Sequence, residues 1–271
     1  MLATLIVVFR EVLEAALIVS ILMAASKGIA GRGRWIGSGI VAGILGAVLV
    51  ALFANRIAAA VSGAGEELFN AGILSAAVLM LAWHNIWMTS HGRQLAQHVN
   101  AVGKDVASGV RPHYALAVVA GVAVLREGSE TVLFVYSILA SNTEGLVPML
   151  LGALIGLIAA FALGVGLYFG LLRIPLKRLF TVLGWMVLLL AAGLAAQAAG
   201  FLLQAGLLPA LGSHVWNTSW LLTEQSIPGR VLHTLIGYES RPAGVQVLAY
   251  LFTLAVIGAG MKMANGRGTK A

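Results

Sequence analysis

Apolar residues run almost unbroken through seven stretches of the chain, separated by shorter polar segments. The stretches are Leu2–Ser26, Trp35–Ala54, Leu68–Thr89, Tyr114–Ala140, Leu146–Leu172, Leu179–Ala205 and Val245–Met261. A helical crossing of a bilayer needs about 20 residues and a barrel strand only about 9–11, so these lengths predict helices. Backbone in contact with lipid must satisfy its own hydrogen bonds, which points the same way. The expected fold is therefore all-α, a polytopic membrane protein with seven transmembrane helices.

Composition agrees. Of 271 residues, 60% are hydrophobic and 10% charged, where a soluble domain carries about 25% charged residues. Ordinary soluble, disordered and fibrous chains are excluded. Cysteine is absent, which removes disulfides, thiolate metal sites and thiol catalysis. The formal charge of +7 would suit nucleic acid, but the positions of the charges argue for topology instead.

Twelve of the 17 Lys and Arg residues flank alternate ends of the spans: Lys27, Arg32, Arg34, Arg93, Lys104, Arg111, Arg173, Lys177, Arg178, Lys262, Arg267 and Lys270. Three (Arg56, Arg230, Arg241) lie on the other side, and Arg10 and Arg126 sit inside spans. This positive-inside bias places the N-terminus outside and the C-terminus in the cytoplasm, as seven crossings require. The start of the chain has no basic n-region or A-x-A site, so the first span is expected to be retained rather than cleaved.

Residues 8–19 (VFREVLEAALIV) and 124–135 (VLREGSETVLFV) align without gaps, with six of twelve positions identical. Aliphatic matches between apolar helices mean little, but a matched Arg, Glu and Glu inside two spans mean more. The offset of 116 residues covers three crossings, and an odd number reverses direction. The pattern is that of a 3+3 inverted repeat plus one extra helix. Residues 1–271 then form a single transmembrane domain: repeat 1 about 1–90, repeat 2 about 113–206, an external loop 206–244 and helix seven 245–261.

Glu11 and Glu14 are three residues apart, about 60° around a helix, and Arg10 lies four residues before Glu14. Arg126, Glu127 and Glu130 repeat this arrangement. Each charge at a helix centre costs roughly 2.5–3.5 kcal/mol on insertion scales, so such groups are functional by default. A purely structural reading pairs Arg10 with Glu14 and Arg126 with Glu130, but leaves Glu11 and Glu127 without partners. A bound cation or a proton relay completes the charge balance. Carboxylates suit hard or borderline ions, such as iron, manganese, magnesium or calcium, over copper(I) or silver.

At Arg10-Glu11-Val12-Leu13-Glu14 and Arg126-Glu127-Gly128-Ser129-Glu130 the chain resembles the high-affinity iron permease family, the oxidase-dependent iron transporters. That family carries R-E-x-x-E in the first and fourth of seven spans, with the N-terminus outside. Residues 191–200 (AAGLAAQAAG) and 216–222 (WNTSWLL) also look like its bacterial branch. The resemblance implies import of iron ions across the cytoplasmic (inner) membrane by a multi-pass permease that is not an enzyme. It implies Glu11, Glu14, Glu127 and Glu130 as metal ligands, supported by Arg10 and Arg126, with iron as transported substrate and no fixed cofactor. The usual motif is R-E-G-L-E, so Val12 and Ser129 are departures that bear on local packing. Some relatives carry an extracytoplasmic extension before the first span. This chain begins at the span, so an iron oxidase, peroxidase or iron-binding protein is expected as a separate partner; beyond that the partners are the lipid bilayer and no nucleic acid.

Secondary candidates for the ion path are Glu66 and Glu67 before the third span, His84 within it, and Gln197 in the sixth. For each there is a plainer role: helix-start acids or interhelical hydrogen bonding. Gly39/Gly43, Gly152/Gly156 and Gly166/Gly170 have the small-x-x-x-small spacing of closely packed helices. The competing readings are the same fold importing lead or another divalent metal, a proton-conducting bundle, and a membrane carboxylate metalloenzyme. The last usually adds Glu-x-x-His pairs, which neither motif contains.

Overall fold

The computed structural model describes residues 1–61, 65–140, 145–169, 176–212, 214–223 and 226–267. Among the described residues the regular structure is entirely helical: α1 (Leu2–Ala25), α2 (Arg32–Val61), α3 (Glu66–Ala107), α4 (Tyr114–Ala140), α5 (Leu146–Tyr168), α6 (Leu176–Gln204), α7 (Ile227–Ile236) and α8 (Gly244–Arg267). All seven apolar stretches fall on long helices, and α7 is an additional short helix within the 206–244 segment. Leu172, the expected end of the fifth stretch, and Gly170 lie outside the described residues.

Among the described residues, five helices carry segments long and apolar enough to cross a membrane: Arg32–Phe53, Glu67–Thr89, Leu146–Gly166, Thr181–Gln204 and Gly244–Ala264. Helices α1 and α4 are long enough, at 24 and 27 residues, but each holds an Arg and two Glu near its middle. Their exclusion from the apolar set is caused by the same residues that make up the repeated motif.

The expected boundary fails most clearly at α3. It continues beyond Thr89 to Ala107, 42 residues in all, or about 63 Å at 1.5 Å per residue, twice the hydrocarbon thickness of about 30 Å. The extension is polar overall, yet Leu95, Val99, Val102 and Val106 recur at helical spacing. They pack with Ile18 and Leu22 of α1, Ile36 of α2 and Leu116 and Ala120 of α4.

Helix α1 is flanked by α3, α4 and α5, with lighter contacts to α2, α6 and α7; α2 lies along α4, α3 along α6, and α8 against α3 and α6. The main core joins Ala3 and Val7 to Leu74, Leu81, Phe134, Leu188, Leu194 and Ile257. Two of these pairings depend on glycine. A methyl group on Gly39 would strike the Ala117 carbonyl, and one on Gly43 would lie 2.7 Å from the Gly121 carbonyl. On α5, Gly152 meets the Met1 carbonyl and Gly156 would place a methyl 2.7 Å from the Leu5 carbonyl. Ala117 and Gly121 stand 116 residues after Met1 and Leu5, so α2 meets α4 at the positions where α5 meets α1.

Candidate metal centre

Three helices bring the site together. Helix α1 supplies Arg10, Glu11 and Glu14, all buried. The rotation of α3 is held by Asn85, whose amide donates to the Gly184 carbonyl of α6 at 3.0 Å and reaches Met261 Sδ of α8 at 3.6 Å. The preceding residue, His84, is thereby turned toward α1 and α4. Helix α4 approaches through Gly128, where a side chain would lie 2.7 Å from the Ala47 methyl of α2.

Arg10 pairs with Glu11 (Nη1–Oε1 3.0 Å) and with Glu14 (Nη2–Oε1 3.2 Å). Arg126 pairs with Glu130 at 3.3 Å and lies 3.8 Å from Glu127. His84 joins the two motifs: its Nε2 is 3.2 Å from Glu14 Oε2, and its Nδ1 lies against Glu130 Oε2. Ligand-type atoms of Glu11, His84, Glu127 and Glu130 all fall within 4.8 Å of one another. Two donors on opposite sides of a first-row divalent ion are about 4.2 Å apart, given bonds of about 2.1 Å, so a small contraction makes this a coordination shell. Glu11 Oε2 and Glu127 Oε2 are buried with no hydrogen-bond partner among the described residues.

The two motifs are not in equal surroundings. The Arg10 side chain is 3% exposed, whereas that of Arg126 is 34% exposed and lies over the Trp87 ring, 4.5 Å from its centroid. Trp87 in turn stacks on His91. His84, Trp87 and His91 follow one another at +3 and +4, a single face of α3, and this spacing is the signal in the sequence that would have marked the face. The departures from the common motif are absorbed locally. Val12 packs with Leu13, Leu17 and Ala160, and the Ser129 hydroxyl donates to the Leu125 carbonyl at 2.6 Å.

The other candidates lie elsewhere. Glu66 and Glu67 are the first residues of α3; Glu67 is exposed, and the Glu66 side chain lies outside the described residues. Gln197 meets His233 of α7, Nε2 to Nε2 at 3.2 Å. The other His233 nitrogen donates to the Tyr238 carbonyl at 2.7 Å, so Gln197 is the donor in this pair and its hydrogen bond ties α6 to α7. Helix α7 is fixed there by Gly237, left-handed at φ 67° and packed on Gly193 and the Tyr250 ring.

Long apolar helices gathered around a buried cluster of carboxylates, guanidiniums and an imidazole define a membrane transport protein. The chain belongs to the Iron permease FTR1 family, which matches residues 1–264; the family is one of permeases, not enzymes. It is similar to the ferrous iron permease EfeU of Yersinia pestis, 31% identical over 252 residues, covering 92% of this chain and 88% of that one. The ferrous iron permease EfeU of Escherichia coli O6:H1 is 33% identical over 252 residues, with 92% and 90% covered. No solved structure matches the chain.

Proposed function

We propose that this chain carries ferrous iron inward across the cytoplasmic membrane through the acidic cluster between α1, α3 and α4. One observation carries the reading: each motif contributes a buried carboxylate oxygen, Glu11 Oε2 and Glu127 Oε2, with no donor among the described residues. Leaving buried carboxylate oxygens without donors is unfavourable, and a cation removes that penalty. Four carboxylates against two guanidiniums leave two formal negative charges, the complement of a divalent ion. Glutamates from both motifs supply the carboxylate oxygens of the site. Arg10 and Arg126 compete with the metal for oxygens and keep binding weak enough for release. The choice of ferrous iron follows the names of the two relatives.

In this reading α1 and α4 cross the bilayer with the five apolar helices, N-terminus outside and C-terminus inside. Pairing of α1 with α5 and of α4 with α2, through equivalent glycine contacts, supports an inverted repeat with α8 outside it. Rocking one repeat against the other then opens the site to each side in turn. Glu66 and Glu67 gather cations at the outer face, where Gln197 and α7 lie, and a separate extracytoplasmic iron oxidase, peroxidase or iron-binding protein delivers iron there.

The test is uptake of radioactive ferrous iron into proteoliposomes, wild type beside Glu11→Gln and Glu127→Gln, with lead and manganese as competitors. Both variants are expected to fall to the level of protein-free vesicles. Wild-type uptake in both would remove the assignment, and stronger competition by lead than by unlabelled iron would change the cargo.

A further inference from the structure

The four motif glutamates are not equivalent in their bonding. Glu14 sets Oε1 against Arg10 at 3.2 Å and Oε2 against His84 Nε2 at 3.2 Å, as Glu130 sets its own two oxygens against Arg126 and His84 Nδ1. Glu14 is the motif glutamate absent from the group whose ligand atoms lie within 4.8 Å of one another, a group that includes His84 instead. Glu11 and Glu127 each keep a buried oxygen without a hydrogen-bond partner among the described residues. Resting on the transport reading above, we propose that His84 is the nitrogen ligand of the transported ion, bound through Nδ1 beside Glu11, Glu127 and Glu130. Glu14 is then a positioning residue that holds the ring.

Geometry and chemistry both favour this division. A histidine that binds a metal through one nitrogen almost always gives its other N–H to a carboxylate or carbonyl, which fixes the tautomer and the ring orientation. Here Nε2 faces Glu14 and Nδ1 faces the carboxylate group. The side chain is 3% exposed, and its backbone is anchored one residue later by the bond from Asn85 to Gly184, so its aim is set by α3 and α6 rather than by the acids alone. The consequence is selectivity. Calcium and magnesium take oxygen ligands and tolerate an all-carboxylate site, whereas imidazole suits borderline transition ions such as Fe²⁺. One nitrogen among oxygens lets the permease pass Fe²⁺ in the presence of far more abundant hard divalent ions.

The experiment measures anaerobic Fe²⁺ binding to the purified full chain in lipid nanodiscs, with Ca²⁺ and Mg²⁺ as competitors. It is paired with iron X-ray absorption on the Fe²⁺-loaded wild type. The wild type is expected to show the multiple-scattering signature of one imidazole. His84→Asn is expected to lose at least about tenfold in preference for Fe²⁺ over Ca²⁺, within the range seen when metal ligation is disturbed, while still binding Ca²⁺. Glu14→Gln is expected to weaken Fe²⁺ while its remaining bound iron keeps the imidazole signature. Absence of that signature in the wild type overturns the proposal whether or not any variant folds. So does unchanged discrimination in His84→Asn, or an equal loss of both ions. Failure of the transport reading looks different: Glu11→Gln and Glu127→Gln would then bind and carry iron like the wild type.

Discussion

At the scale of single residues, the two arginines of the repeated motif should behave differently despite the same R-E-x-x-E spacing. Arg10 is enclosed and bonded to two buried carboxylates. Removing it leaves Glu11 and Glu14 as uncompensated buried charges, a change that costs about 3–5 kcal/mol. Arg126 is one-third exposed at its side chain and leans on Trp87, so its loss removes a partly solvated pair and a cation–π contact, about 1–2 kcal/mol together. Thermal unfolding in detergent should therefore show Arg10→Ala far less stable than Arg126→Ala; equal shifts would mean that the environments are alike. The charged motifs were legible from spacing alone, because apolar helices offer no other reason to hold an Arg and two Glu. His84 was legible only as one ion-path candidate, not as the residue that joins the two motifs. A lone histidine on an apolar helix reads as an ordinary interhelical hydrogen bond, and its rotation is set by Asn85 and Gly184, a contact 99 residues apart in sequence.

Among the helices, the glycine contacts make a prediction that an unstructured stripe of small residues would not. Gly43→Ala and Gly156→Ala each drive a methyl to 2.7 Å from a backbone carbonyl, on the α2–α4 and α1–α5 seams respectively. Carbonyls in a helix cannot move aside cheaply, so each variant should lose about 1–3 kcal/mol, the usual range for overpacking. Gly37→Ala on α2, with open space around it, should be neutral or stabilised by up to about 1 kcal/mol through helix propensity. The three melting temperatures check this directly, and a Gly37→Ala loss as large as the others would refute the steric account. The Gly39/Gly43 and Gly152/Gly156 contacts were visible in the small-x-x-x-small spacing, and the helices themselves were visible as apolar runs. The length of α3 was not, because hydropathy averages over its polar extension. Only the one-sided recurrence of Leu95, Val99, Val102 and Val106, packed on α1, α2 and α4, shows that the helix continues. Helix α7 was hidden for a related reason: it is ten residues long and is held by the Ser226 cap, where the hydroxyl accepts from Gly229 N at 3.1 Å, and by Gly237, rather than by an apolar run.

For the molecule as a whole, the energetic question is what drives accumulation. In the proposed reading the cluster carries two more carboxylates than guanidiniums, so a divalent ion entering it has its own charge largely balanced inside the protein, while the full +2 still crosses the membrane field. Moving one charge through 100 mV is worth about 2.3 kcal/mol, hence about 4.6 kcal/mol for Fe²⁺. At about 1.4 kcal/mol per factor of ten, that is a little over 10³-fold accumulation without a second ion. Proteoliposomes given an inside-negative potassium diffusion potential should therefore concentrate ferrous iron by orders of magnitude. An imposed pH gradient at zero potential should leave iron at equilibrium across the membrane. The opposite result, uptake driven by the pH gradient and indifferent to potential, would mean that protons leave as iron enters and that the charge balance belongs to an exchange. Glu11→Gln lowers the pocket's surplus negative charge by one, so it should abolish potential-driven uptake even when the potential is raised. A field can pull a cation through the permease only where a site first strips its water.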